Sequence, residues 1–392
     1  MVKIYLDYAA TTPIDQKVLK AMAPYLKKDF GNASSIHSFG QKALSAIDEA
    51  RASVADFLGC QPQEVYFTGS ATEANNLALQ GVVKALAKEN KKPHIITSCI
   101  EHHAVSETVD YLKKRGAETT HVPVDKEGIV SLPELKKAIK ENTILVSIIY
   151  ANNEIGTIQP IAEIAKILKS RSKKIYFHTD AVQAVNYLDC SVEKLGVDLL
   201  TMSAHKIYGP KGIGALYVKK GTPIEPLIFG GGHEKGLRSG TENVPGIVGL
   251  GAAIKEIQNP KSKIQNIKIK QLRNKIIKQV PKLIPGVKLN GSALQRLPNN
   301  ANFSFEGAEG EAMVIALDQK GVEVSTGSAC SSRTLEASHV LLALGLPEEE
   351  AHSSLRISLG KCTTEKEIDK FLKILPPIVA RLREISGYKK NA

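Results

Sequence analysis

The feature that most constrains the fold is a regular alternation of short β-rich runs and helical segments. Runs rich in β-branched and aromatic residues occur at 64–68, 94–98, 118–124, 143–150, 175–178, 197–202 and 213–218. Several are separated by segments with a helix-start signal, such as the capping box Ser131-x-x-Glu134 with Pro133 in its first turn. This alternation predicts an α/β fold with a mostly parallel seven-stranded sheet, flanked by helices and binding ligands at the carboxyl ends of its strands.

The pattern changes after residue 218. A glycine-rich loop at 230–241 and a helix at 244–257 are followed by a basic helix at about 262–283. Short strands at 287–290, 301–305, 321–325 and 355–359 are then set among helices, of which the last covers 365–385. We therefore predict an N-terminal arm at 1–13 that packs with the small domain, a large domain at 14–258, and a smaller α+β domain at 259–392.

Composition narrows the class of protein. The chain has 392 residues, is 43% hydrophobic and carries a net charge of +12. No uncharged apolar run of about 18 residues occurs, so we expect no membrane span. The lysines are spread over helical faces without a nucleic-acid module, so we expect no direct nucleic-acid binding; the basic balance also suits acidic proteins or an anionic cofactor.

The cysteines are odd in number and scattered. Five occur, at 60, 99, 190, 330 and 362, and none belongs to a C-x-x-C pair. This pattern argues against a disulfide framework and against a structural zinc site. We expect a cytoplasmic protein with no metal.

A lysine and an aspartate stand at the ends of two apolar runs. Lys206 lies in TMSAHKIYGPKGIG, between two such runs, and Asp180 ends KIYFHTD. The pair suits pyridoxal 5′-phosphate (PLP), because the lysine can bond the aldehyde while the carboxylate keeps the pyridine nitrogen protonated. A structural ion pair at two strand ends explains these two residues equally well.

The strand at 64–68 runs into a helix start that suits a phosphate. Ser70-x-x-Glu73 is a second capping box, and the helix that it opens extends to about residue 88. Free N–H groups at such an end bind anions, and the Thr72 hydroxyl adds a donor. On its own this motif is weak evidence for a phosphate site, because ordinary helix starts have the same motif.

Two other strand ends carry polar motifs. Cys99-Ile-Glu-His-His follows the run at 94–98, so His102 or His103 should lie at the same sheet edge and stack on a ring or move protons. The alternative is that the two histidines have no functional role and only form hydrogen bonds at the start of a helix. Asn153 follows the next strand, and Gln183 lies one helical turn after Asp180, where its amide could reach a ring hydroxyl.

A series of motifs runs in order along the chain: DYAATTP, ATEANN, EHHAV, NNEIG, HTDAVQ, SAHKIYGPKG, GGGHEKGLRSGT, STGSACSS and RISLG. In this order they resemble the PLP-dependent cysteine desulfurases of the NifS/IscS type. That family belongs to the class V aminotransferases and has the PLP-dependent transferase fold type I. The resemblance covers about residues 5–360. It implies conversion of L-cysteine to L-alanine by a homodimer with active sites at the subunit interface.

The resemblance also implies roles for individual residues. Lys206 would bond the cofactor, Asp180 would pair with its ring nitrogen, and His102 would stack on its ring. Gln183 would bind the ring oxygen. The phosphate would be held by Thr72, Ser203 and His205, and by Thr241 of the neighbouring subunit. Two further residues, Ala71 and Asn153, would also contact the cofactor. The substrate would be bound by Asn32, Asn153 and Arg356.

Cys330 is the candidate nucleophile. It lies in STGSACSS, where its neighbours are small and mostly polar, as expected of an accessible loop rather than a core. By resemblance it would carry a persulfide and pass sulfur to an acceptor such as an iron–sulfur scaffold, for cluster assembly or tRNA thiolation. A selenocysteine lyase, an aminotransferase or a β-lyase of the same class is the alternative.

Overall fold

The computed structural model of the protein describes residues 3–86, 92–327 and 337–388. Its strands are β1 (Ile4–Tyr5), β2 (Val65–Thr68), β3 (His94–Ser98), β4 (Glu118–Val122), β5 (Thr143–Ser147), β6 (Tyr176–Asp180), β7 (Leu199–Ser203), β8 (Gly214–Val218), β9 (Val287–Leu289), β10 (Asn300–Phe305), β11 (Val322–Glu323) and β12 (Ser354–Ser358). Its α-helices are α1 (Gln16–Lys27), α2 (Ser38–Leu58), α3 (Ala71–Leu86), α4 (His103–Lys114), α5 (Leu132–Ala138), α6 (Ile161–Lys169), α7 (Val192–Leu195), α8 (Val244–Gln258), α9 (Pro260–Leu283), α10 (Gly310–Asp318), α11 (His339–Ala343), α12 (Glu348–His352) and α13 (Glu365–Ser386).

Strands β2 to β8 form one seven-stranded sheet in the order β2-β8-β7-β6-β5-β3-β4. Strands β3 to β7 are parallel to one another, whereas β8 is antiparallel to both of its neighbours, β7 and β2. The connection from β7 to β8, residues 204–213, is too short for the crossover that a parallel pair needs. The prediction of a mostly parallel seven-stranded sheet is confirmed.

Helices cover both faces of this sheet. On one face α3 and α4 contribute buried residues such as Leu77 and Val109. On the other face α2, α6 and α8 contribute Ile47, Ile164 and Leu250. Because both faces are covered, burial does not alternate along the inner strands, and every residue of β3 and of β5 is buried.

A second core is built from the C-terminal part of the chain. Strands β9, β10 and β12 form an antiparallel sheet in the order β12-β10-β9, packed by residues of α9, α10 and α13. Phe303 and Phe305 of β10 are fully buried in it, and burying each contributes roughly 2–3 kcal/mol. Ile4 and Leu6 of the N-terminal segment belong to the same core, and β1 pairs in parallel with β11.

Several predicted bounds were wrong by a few residues. The runs predicted at 118–124 and 143–150 end as strands at Val122 and Ser147, two and three residues before the predicted ends. Helix α2 begins at Ser38, three residues before its predicted start, and ends with Gly59 in the left-handed conformation at φ 68°. Within the described ranges, no helix has the length and apolarity to cross a bilayer.

Candidate active site

A cavity of about 450 Å³ lies where the carboxyl ends of the parallel strands meet. Its lining residues are Ala9, Ala10, Ser70, Ala71, Thr72, Asn75, His102, His103, Ala104, Ile149, Asn153, Asp180, Val182, Gln183, Ser203, His205, Lys206, Lys211, Gly212, Ile213, Gly327 and Arg356. The N-terminal segment, the sheet and β12 of the second core all contribute. The cavity therefore brings together residues that are far apart in sequence.

Asp180 and Lys206 line this same cavity from adjacent strands. Asp180 ends β6, and Lys206 lies in the single 3-10 turn that follows β7. The Asp180 carboxylate accepts N–H groups from the Val182 backbone at 3.0 Å and from Asn75 Nδ2 at 2.7 Å. The two donors fix the orientation of the carboxylate in the cavity.

Lys206 Nζ is held by the N-terminal segment. It donates to the carbonyl oxygens of Ala9 and Ala10, each at 2.7 Å. The Ala9 carbonyl also accepts from Gln183 Nε2 at 3.0 Å. Two carbonyl oxygens favour an ammonium or amine at this point. Because the Gln183 Nε2 donates to Ala9, the side-chain oxygen of Gln183 is the atom that can accept a ring hydroxyl.

His102 caps helix α4 and is thereby fixed in orientation. Its Nδ1 accepts the backbone N–H of Ala104 at 3.0 Å, so the proton of the neutral ring lies on Nε2. Burial is the main cause that lowers the pKa of His102, while Asp180 acts in the opposite direction. The ring is therefore a neutral aromatic surface rather than a cation at neutral pH. His103 also lines the cavity, with its ring centroid 4.8 Å from that of His339.

The amino-terminal end of α3 forms one end of the cavity. Ser70 Oγ accepts the Glu73 N–H at 3.1 Å, so Ser70 caps the helix. The Glu73 carboxylate instead accepts the Gly69 N–H at 2.8 Å, not the Ser70 N–H that a capping box requires. Strand β8 packs tightly here, since a Cβ on Gly214 would lie 2.7 Å from the Ser70 carbonyl carbon. Ala71 and Thr72 face the cavity beyond this contact.

Ser203 and His205 line the same cavity from the end of β7 and the turn after it. Burial, followed by Lys206 and Lys211, lowers the pKa of His205 to about 4. His205 is thus neutral at pH 7 and offers ring nitrogens for hydrogen bonds. Its Nδ1 lies 3.2 Å from Thr11 Oγ1.

Arg356 enters the cavity from the middle of β12. Its NH1 donates to the carbonyls of Asn153 at 3.0 Å and Gly327 at 3.3 Å, and its NH2 pairs with Asp7 at 2.8 Å. Its Nε is buried and has no hydrogen-bond partner among the described residues. The guanidinium is therefore held on one side and keeps an unused donor.

Three predicted residues are not part of this cavity. Thr241 is exposed and lines a separate cavity of about 110 Å³. Asn32 is exposed on the loop before α2, where its Oδ1 accepts the Ser34 N–H. Cys330 lies outside the described residues, although Gly327, which precedes it by three positions, lines the main cavity.

Sequence reasoning missed several groups in or beside the site. Ala9 and Ala10 contribute only carbonyl oxygens, which no side-chain motif reveals. Asn75 is fully buried beneath Asp180, and the motif ATEANN was its only signal. Glu101 is buried beside His102, and burial raises its pKa to about 8, so it is protonated at neutral pH.

The donor set fits PLP. The cavity offers an amine for an aldehyde, a hydrogen-bonded carboxylate for a pyridinium, and a helix start with two hydroxyls and an imidazole for a phosphate. It also offers an aromatic ring to cover the cofactor. Among the described residues, no cluster of three or more metal-ligating side chains occurs.

Comparisons with known proteins agree with this geometry. Residues 4–371 match the family model of the aminotransferase class-V proteins. The chain is 53% identical over 390 residues to the cysteine desulfurase IscS of Dictyoglomus turgidum, covering 99% of this chain and 98% of that protein. It is similar to the solved structure of a NifS-like protein, with a TM-score of 0.90 and 40% identity over 97% of this chain and 100% of that one. It is also similar to SspA in complex with cysteine, with a TM-score of 0.80 and 39% identity over 92% of this chain and 100% of that one.

Proposed function

The chain belongs to the aminotransferase class-V family, and we propose that it is a PLP-dependent cysteine desulfurase. It converts L-cysteine to L-alanine and keeps the sulfur on one of its own cysteines. The observation that carries the proposal is that Lys206, Asp180 and Arg356 meet in one cavity. An amine, a carboxylate and a guanidinium there serve the aldehyde and ring nitrogen of PLP and the carboxylate of an amino acid.

PLP, when bound, supplies an electron sink that makes the Cα–H bond of an amino acid acidic. The Asp180 carboxylate would pair with the protonated ring nitrogen, and its hydrogen bonds from Asn75 and Val182 fix its orientation. Lys206 is the base that takes the Cα proton and the acid that returns it. The carbonyls of Ala9 and Ala10 hold its Nζ within the cavity while it does so.

Other residues position the reactants. Thr72, Ser203 and His205 bind the phosphate at the start of α3, with Ala71 contributing its backbone. His102 covers the ring, and its neutral state avoids placing a second cation beside the pyridinium. Arg356 binds the substrate carboxylate, with Asn153 beside it.

We propose Cys330 as the nucleophile. Its thiolate attacks the substrate sulfur, so that an S–S bond forms while the substrate Cβ–S bond breaks. The electron pair of the broken bond passes to Cβ, which takes up a proton and becomes the methyl group of alanine. Three residues span at most about 10 Å, so Cys330 is within chain reach of Gly327 at the cavity.

The protein acts as a homodimer in this proposal. Thr241 lies on the surface and completes the phosphate site of the neighbouring subunit, while Asn32 belongs to the substrate loop. Exposed apolar residues near that loop, Phe30, Ile36 and Phe39, suit burial against a second copy. The domain limits of the proposal are 1–13 for the arm, 14–258 for the cofactor domain and 259–392 for the small domain.

The persulfide then supplies an acceptor protein, such as an iron–sulfur scaffold, for cluster assembly or tRNA thiolation. The proposed compartment is the cytoplasm, because a thiol that must stay reduced works best there. The cysteines at 60, 99, 190 and 362 are free, as a reducing compartment requires.

The test is mass spectrometry of the holoenzyme after mixing with L-cysteine. We expect added sulfur on the peptide that contains Cys330, and equal amounts of alanine and transferred sulfur. Cys330→Ala should abolish alanine formation while the yellow cofactor stays bound. Cys362→Ala, which removes an exposed thiol elsewhere in the chain, is the matched control and should change neither. Unchanged turnover by Cys330→Ala would instead favour a selenocysteine lyase, an aminotransferase or a β-lyase.

A further inference from the structure

Asp7 of the N-terminal segment makes an ion pair inside the candidate site. Its Oδ1 lies 2.8 Å from Arg356 NH2, and the two side chains are only 18% and 3% exposed. The two residues are 349 positions apart. An ion pair so well buried, at the only described place where an arginine enters the cavity, needs a reason beyond surface charge balance.

The backbone around Asp7 is fixed before any ligand binds. Residue 7 bridges Ser358 of β12, the Ser358 N–H donates to the Leu6 carbonyl at 2.7 Å, and the Ala9 N–H donates to Ser358 Oγ at 2.8 Å. Tyr5 Oη donates to the Asp7 carbonyl at 3.0 Å. The carboxylate is therefore presented to Arg356 from a rigid strand rather than from a mobile end.

Counting the guanidinium hydrogens shows what Asp7 leaves free. A guanidinium has five N–H donors. NH1 uses its donors on the carbonyls of Asn153 and Gly327, and NH2 uses one on Asp7. The Nε–H has no described partner but is closed off from the surface, so the remaining NH2 hydrogen is the donor left for a ligand. That N–H and the charge of the guanidinium can meet a carboxylate.

We propose that Asp7 is a positioning residue that holds the guanidinium of Arg356 at the cavity, where it meets the substrate carboxylate. This inference rests on the proposed function, since it assigns that carboxylate to an amino-acid substrate. Without Asp7, the guanidinium loses its only charged partner among the described residues and can rotate on its long side chain. The substrate carboxylate would then lose an ordered, charged hydrogen-bond donor.

The same contact makes the site selective for the carboxylate of its ligand. Asp7 gives Arg356 one anionic partner, and a single further carboxylate can then use the hydrogen-bonding capacity that the guanidinium has left. A ligand without that group gains nothing from the ordered guanidinium. The difference in affinity between a carboxylate ligand and its decarboxylated counterpart is therefore the direct readout of this role.

The experiment titrates the absorbance of PLP in the holoenzyme with L-alanine and with ethylamine, which is alanine without its carboxylate. Neither probe can react as a sulfur donor. The variants are Asp7→Asn, which removes the charge but keeps the shape, and Asp7→Glu, which restores the charge. Glu323→Gln is the matched control, since it breaks the exposed ion pair that also joins the N-terminal segment to the second core through Lys3.

We expect Asp7→Asn to weaken alanine binding about tenfold or more, as for loss of one hydrogen bond to a charged group. Ethylamine binding should change less than about twofold, and Asp7→Glu should restore part of the alanine affinity. Equal weakening of alanine and ethylamine binding would overturn the proposal, as would an affinity for both probes that equals that of Glu323→Gln. If Asp7→Asn does not fold, the ratio of alanine affinity to ethylamine affinity is measured for Asp7→Glu instead. That ratio must be lower than in the wild-type protein, because a misplaced carboxylate weakens alanine binding selectively. Failure of the proposed function is recognised separately, because the wild-type protein would then bind alanine yet form no persulfide.

Discussion

Replacing Asp180 by asparagine separates the chemistry of the site from its folding. The Asp180 carboxylate accepts one N–H from Val182 and one from Asn75. An amide at position 180 can keep the first hydrogen bond but presents an NH2 group to the second. Asn75 can rotate its side-chain amide in response, because its Oδ1 is buried and has no partner among the described residues. The free energy of unfolding of the apoenzyme should therefore change by less than about 1 kcal/mol.

The effect on turnover should be much larger. An amide cannot keep the cofactor ring nitrogen protonated, so the favourable interaction between two opposite charges in a shielded site is lost. At about 4 Å and an effective dielectric constant near 20, that interaction is worth about 4 kcal/mol. At 1.36 kcal/mol per factor of ten, kcat for alanine formation should fall by about 10³-fold.

The assay measures alanine production, PLP absorbance and thermal unfolding for Asp180→Asn and for Asp189→Asn. Asp189 lies in the segment after the same strand, but its side chain is 56% exposed and paired with Lys194, so its replacement should leave kcat unchanged. A fall in kcat of less than tenfold for Asp180→Asn would refute the electrostatic reasoning. A large loss of apoenzyme stability would refute the rearrangement assigned to Asn75.

Three further predictions follow from single contacts. Arg356→Lys should raise KM for cysteine by about 10–100-fold with a smaller change in kcat, since lysine cannot bind a carboxylate bidentately; equal losses in both constants would contradict this. Burial raises the pKa of Glu101 from 4.5 to about 8, so the folded state retains a proton that the unfolded state loses, and stability falls as pH rises from about 4.5 to 8. Glu101→Gln should flatten that slope in denaturant titrations, and an unchanged slope would contradict the assignment. Gly214→Ala should destabilise the protein by at least about 1 kcal/mol and weaken PLP binding, because its Cβ would meet the backbone at Ser70 and Ala71; unchanged PLP affinity would contradict the tight contact between β8 and α3.

The sheet was predictable because its evidence is local. Apolar runs such as β5 read as buried strands without knowledge of their partners, and parallel order forces their carboxyl ends to one edge. The polar residues after those ends, among them His102, Asp180 and Lys206, therefore had to share a cavity if the strands were neighbours. The structure brings them together at that edge.

The rest of the site could not be predicted from local patterns. Ala9 and Ala10 reach the cavity, and Asp7 reaches Arg356, because the N-terminal segment pairs with β11 and β12, more than 300 residues later in the chain. The contacts that Lys206 makes are to backbone carbonyl oxygens, which every residue has, so no residue type in the sequence indicates them. The places of Thr241 and Asn32 depend on a second subunit in the proposal, and Cys330 lies outside the described residues.

The central claim is tested most directly by reducing the holoenzyme with sodium borohydride, which fixes PLP covalently to the amine that holds it, and by mapping the labelled peptide. The cavity is lined by two lysines, so the result is not trivial. We expect the label on Lys206 alone, with loss of labelling in Lys206→Ala and no loss in Lys211→Ala. A label on Lys211, or on a lysine outside the cavity, would contradict this expectation.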